Sequence, residues 1–189
     1  IEDFEGREFQ GLLAELPARD VARLGLRAAL RIMPLAWSPE GDPLLTENVG
    51  GYATDVMTGF LATWAHDVDG AEWAGHPASS AGIALAALPK TLHQRPAYTQ
   101  FALKSITQVI GLNDGPLTST AGEAFAAVCA QSISLGMRAA QGAQSALRIS
   151  SLVKSLRQQL HLDFENVTKD GGATRQKLWE VSTPTRLAD

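Results

Sequence analysis

The sequence predicts an all-α fold: a compact multi-helix bundle of about six to eight helices with a polar C-terminal arm or small hairpin. Three observations lead to it. Apolar residues recur at three- and four-residue steps along most of the chain, alanine is abundant, and β-branched residues are scattered rather than clustered. With 189 residues the chain can bury a core without disulfides or metals, so one bundle domain over 1–165 and a polar arm over 166–189 are expected.

The elements follow from the spacing of apolar residues and of the residues that interrupt them. "FQGLLAEL" is apolar enough for a short helix, and Pro17 suits the first position of the next one. That second helix runs to about Met33, where Pro34 removes a donor and crowds the preceding turn, and "SPEGDP" is a loop. Thr46 is placed to cap a helix whose Val49, Tyr52, Val56, Phe60, Trp64 and Val68 share a face. "HDVDGAEWAGHPASS", residues 66–80, lacks periodicity and connects it to "AGIALAAL". Pro96 opens another helix with Tyr98, Phe101, Ile106 and Val109 on one side. Thr120 and Glu123 have capping-box spacing. A single helix over 121–162 would span about 60 Å, so two helices breaking near Gly142 are expected. In the tail, "KDGG" is a turn between "FENVT" and "KLWEVS", a hairpin or arm outside the main core.

Composition narrows function more than it assigns it. Hydrophobic residues are 45% and charged residues 19%, which is globular rather than disordered. A net charge of -4 argues against sequence-independent nucleic-acid binding by the whole surface. The single Cys129 forms no internal disulfide and resembles a core position, which fits a reducing, cytoplasmic setting. No apolar run approaches the roughly 20 residues that span a bilayer, and the start lacks a signal pattern, so a soluble chain without membrane partners is expected. Because the chain opens on Ile1 rather than Met, it reads as an excerpt of a larger protein, a processed product, or a chain whose first residues are missing.

The segment "LPARDVARLGLRAALRIMPLAW" carries the strongest pattern. Arg19, Arg23, Arg27 and Arg31 stand at four-residue intervals, a sector of about 120° along about 18 Å of helix. Only Asp20 and Leu30 lie within that sector, and the remaining two-thirds of the circumference is apolar. So wide an arc needs at least two neighbouring helices, and Gly25 with Ala22, Ala28 and Ala29 invites close approach. The plain reading is a nearly central helix whose arginines form its one solvated strip. The functional reading is a ridge for an acidic protein segment, since guanidinium donors match carboxylate oxygens in pairs. Exclusive use of Arg, with no Lys before Lys90, favours this. A third reading buries the row against acids of the chain itself, such as Glu2, Asp3, Glu5 or Glu8.

Catalytic candidates are weaker. His66, Asp67, Asp69, Glu72 and His76 fall within 11 residues, but they match neither HExxH nor an EF-hand loop. "ASSAG" at 78–82 lacks the strand that a nucleophile elbow needs, and Ser151 to Lys154 fits Ser-x-x-Lys without companion signatures. "KDGGATRQK" lacks Walker spacing. The resulting expectation is a non-enzymatic helical interaction or regulatory module with no cofactor. It engages an acidic protein segment, or another domain of a larger protein, through Arg19, Arg23, Arg27 and Arg31. The alternatives are a small hydrolase or metal-dependent enzyme using the His66–His76 loop and a purely structural scaffold.

Overall fold

The structure, a computed structural model, describes residues 4, 6–36, 96–111 and 120–169. The helix expected from Thr46, the His66–His76 loop, "ASSAG" and "KLWEVS" lie outside those residues. The described residues form five α-helices and no strand, against the six to eight helices expected.

Helix α1, Arg7–Glu15, is the expected "FQGLLAEL" helix and buries Phe9 and Leu13, one turn apart. The Phe9 ring meets Phe4 edge-on at 5.2 Å and Phe164 at 5.8 Å, tying the start of the chain to its last described helix. Helix α2, Ala18–Ala36, begins where the Pro17 carbonyl accepts the Asp20 and Val21 amides at 2.9 and 3.1 Å. It passes through Pro34 instead of stopping near Met33. A proline so close to the end costs one backbone bond, and the Thr99 hydroxyl donates to the Leu35 carbonyl at 3.2 Å, satisfying part of the terminus.

Helix α3, Ala97–Gly111, follows Pro96 as expected, and α4 is Gly122–Ala146. The capping box at the start of α4 does not form: Ala121 precedes the helix without a side-chain cap. Thr120 instead forms an isolated antiparallel bridge with Pro17, and the Ala121 amide donates to the Leu16 carbonyl at 2.9 Å. A tertiary backbone contact has taken the place of the local one.

The long helical region does divide in two, but not at Gly142. A Cβ at Gly142 would stand 2.9 Å from the Cβ of Tyr98, so this glycine lets α3 approach α4 and does not end the helix. The break comes at 147–151. There Arg148 takes a left-handed φ of 56°, the Leu147 amide reaches Ala143 O at 2.8 Å, and the Ile149 amide reaches Gln144 O at 3.1 Å. The last of these is a Schellman-type closure with arginine where glycine is usual. Gln144 also accepts the Val153 amide at 3.0 Å, which starts α5, Leu152–Lys169. "FENVT", expected as a strand, is the end of this helix: Phe164 packs on Phe9 and Val167 is buried. Tertiary apolar contacts outweighed its polar, β-tolerant composition.

At the centre lies α2, packed against α3, α4 and α5. As the broad apolar arc implied, Gly25 permits close approach: a Cβ there would stand 3.3 Å from Cys129 Sγ and from Val109 Cγ2. Between α3 and α4, Ser105 and Ser132 are fully buried. Each hydroxyl donates to the other residue's carbonyl, at 2.8 and 2.9 Å. Such reciprocal bonding leaves neither hydroxyl unsatisfied in the core.

Candidate functional site

The four-residue spacing does place the arginines on one side of α2, but that side is not wet. Arg23, Arg27 and Arg31 are 2%, 7% and 5% exposed, Arg19 is half-buried, and no residue from Ala18 to Ala36 is exposed. The solvated-strip reading is therefore overturned for Arg23, Arg27 and Arg31, which are inside, while Arg19, Leu30, Met33 and Pro34 are half-buried.

The acid that accompanies them comes from α5. On that helix Leu152, Leu156, Leu160, Asp163 and Val167 form the buried stripe, with spacings of four, four, three and four. Asp163 is the charge on this stripe, and the stripe's register delivers it to α2. Arg27 Nε donates to Asp163 Oδ1 at 2.8 Å, and Arg27 Nη2 lies 2.8 Å from the same oxygen. Arg31 Nε donates to Oδ2 at 3.0 Å, while its Nη2 stands 3.0 Å from Oδ1 and 2.9 Å from Oδ2. One carboxylate thus bridges two guanidiniums a helical turn apart. Arg23 pairs locally, its Nη1 donating to Asp20 Oδ1 at 3.1 Å.

The idea that acids of this chain cover the row holds for Arg27 and Arg31, with a different acid. Glu8 is exposed, Glu2, Asp3 and Glu5 lie outside the described residues, and the partner is Asp163, 136 and 132 residues along. Asp163 was missed because it stands near the expected end of the bundle. The available signal was an acid occupying a core position of a helical stripe, where an unpaired charge would be prohibitive.

Charge at this seam is not balanced pairwise. Two guanidiniums face one carboxylate, and both use the Nε–Nη2 edge for it. Arg27 Nη1 and Arg31 Nη1 are buried and find no hydrogen-bond acceptor among the described residues. Burial pulls the Arg27 guanidinium below its ordinary value, and the charge of Arg31 adds to this, while the attraction of Asp163 opposes both. A guanidinium offers donors and no acceptor, so what the arrangement does within the chain is hold the Asp163 carboxylate between α2 and α5.

Other candidates have little geometry behind them. Among the described residues no group of three or more His, Cys, Asp or Glu side chains is placed to hold a metal ion. His66, Asp67, Asp69, Glu72 and His76 lie outside those residues. Ser151 and Lys154 are both exposed at the entry to α5. Cys129 is buried with its thiol pushed up to about 12 by desolvation, and its Sγ donates to Val21 O at 3.4 Å, the environment of an inert core cysteine. No described helix is long and apolar enough to cross a membrane. Compared with protein-family models, curated proteins and solved structures, the chain matches none of them.

Proposed function

We propose that the chain is a non-enzymatic helical interaction module, whose α2 arginine row engages an acidic segment of a partner protein or of another domain in a larger protein. The observation that supports this is the shared carboxylate: Arg27 and Arg31 have Asp163 between them, and each keeps a buried Nη1 without an acceptor among the described residues. A single carboxylate satisfies neither the charge nor the donor count of two guanidiniums. Acidic side chains are the protein chemistry that meets both needs. Burial of the row means that a partner segment enters beside α5 instead of landing on an open ridge, which favours slow association and long residence.

The test is direct binding of a labelled Glu- and Asp-rich peptide to the full chain, with a matched Gln- and Asn-rich peptide as control, followed by fluorescence anisotropy. Saturable binding of the acidic peptide alone is expected. Equal binding of both peptides, or of neither, removes the reading.

A further inference from the structure

We infer that a second copy of this chain is a partner for the surface of α2 and α4 that holds α5. In the resulting dimer each α5 docks onto the other copy, and α4 and α5 of each chain join into one continuous helix. This goes beyond the acidic-segment reading and does not depend on it.

The argument begins at the α4–α5 connection. Arg148 holds φ at 56°, and it is the one non-glycine residue with positive φ among the described residues. In that conformation a Cβ crowds the following carbonyl oxygen, so arginine is held against its preference. What holds it are the turn's own bonds, from the Leu147 amide to Ala143 O, the Ile149 amide to Gln144 O and the Val153 amide to Gln144 Oε1. The sequence contains neither glycine nor proline between Gly142 and Gly171, so nothing at 147–151 stops a helix, and Leu147 and Arg148 favour one. Extending the helix through 147–151 returns Arg148 to the right-handed region and replaces the turn's bonds with ordinary helical ones.

The docking surface of α5 is complete in itself. Leu152, Leu156, Leu160 and Val167 are buried along one stripe, Asp163 sits between Arg27 and Arg31, and Phe164 meets Phe9. An α5 arriving from another copy brings the same residues in the same register, so each contact given up in one chain is regained in the other. Charge selects this occupant, because two desolvated guanidiniums require a carboxylate at that point and a helix of unrelated sequence lacks it. A helix over 122–169 is about 70 Å long, too long for one compact copy of this size but suited to two copies that share it. Association entropy opposes the exchange and relief at Arg148 favours it, so the dimer forms at raised concentration.

The test holds the concentrated full chain in urea at its unfolding midpoint, returns it to buffer, and reads mass by size-exclusion chromatography with light scattering. A dimer with undiminished helical circular dichroism is expected. Arg148→Gly relaxes the turn, so dimer affinity is expected to fall about a hundredfold, roughly tenfold for each of the two hinges. Mixing separates exchange from contact between intact surfaces: Asp163→Leu and Arg27→Met/Arg31→Met are refolded together and followed by native mass spectrometry. In a swapped heterodimer one seam carries the parent charges and the other is apolar, so heterodimer in excess of random pairing is expected, even where a variant does not fold alone. A parent that stays monomeric at every concentration, a dimer indifferent to Arg148→Gly, or no excess of heterodimer on mixing overturns the inference.

Discussion

Asp163→Asn is the sharpest perturbation of this protein, because it changes one charge and almost no volume at the junction of two helices. The parent carboxylate is 2% exposed and accepts from Arg27 and Arg31 at 2.8 and 3.0 Å. Breaking a buried ion pair by neutralising one partner costs about 3–5 kcal/mol, since the other charge is left desolvated. Here two guanidiniums lose the same counter-charge, so a value of about 4 kcal/mol is expected. In a chain of this length each kcal/mol lowers Tm by roughly 2–4 °C, which gives a fall of roughly 8–16 °C. Urea unfolding followed by circular dichroism measures the free energy, and calorimetry measures Tm. The companion variant Arg27→Met/Arg31→Met/Asp163→Leu removes all three charges together, and replacing a buried triad by apolar residues is often neutral or stabilising. A loss below about 1 kcal/mol for Asp163→Asn, the range of exposed pairs, refutes the buried bridge. A triple variant as unstable as the single one refutes the electrostatic origin of the loss.

Further outcomes test the packing and chemistry around this seam. Gly142→Ala places a Cβ 2.9 Å from Tyr98 Cβ, a rigid neighbour, and overpacking of about 1–3 kcal/mol exceeds the gain of up to about 1 kcal/mol in helix propensity. Gly11→Ala, with nothing within 4 Å of its new Cβ on an exposed part of α1, gains about 0.5–1 kcal/mol, so opposite signs in chemical denaturation check both. Ser132→Ala deprives Ser105 O of a donor and Ser105 Oγ of a neighbour at 3.0 Å. A loss of about 1–3 kcal/mol is expected, and hydrogen exchange at α3 and α4 locates it. Cys129 has a folded-state pKa of about 12 against an ordinary value of 9.0. The unfolded chain therefore loses this proton first, and the thiol's contribution is intact below about pH 9 and lost as pH rises toward 12. Stability curves of the parent and Cys129→Ala are expected to converge over that window, and native Cys129 is expected to resist alkylation until denaturant is added.

How far the site was legible differs from residue to residue. The Arg19, Arg23, Arg27 and Arg31 spacing located the right side of the right helix, and the unbroken apolar arc behind it implied several neighbours, which α3, α4 and α5 supply. Long-range charge pairing was not legible, because Arg27 and Asp163 are 136 residues apart and nothing local distinguishes an arginine over water from one over a carboxylate. The use of arginine without lysine was the one hint, since a buried bridging carboxylate suits a planar fork better than a point charge. Gly142 and Thr120 failed as local signals for a related reason. A glycine serves both helix ends and close helix contacts, and a threonine near a helix start can be drawn into a backbone bridge instead.

By itself the sequence determined the helical class, the extent of α1 and α3, the division of the long region into α4 and α5, and the centrality of α2. These follow from 3.6-residue periodicity and from proline, which act within one or two turns. Only the tertiary structure decided that Arg23, Arg27 and Arg31 of α2 are buried, that α5 runs on through "FENVT" to Lys169, and that Asp163 joins Arg27 to Arg31. The physical reason is that burial of a charge is a property of the enclosing neighbours: whether a guanidinium meets water or a carboxylate is settled when α5 docks, and not by the helix that carries it.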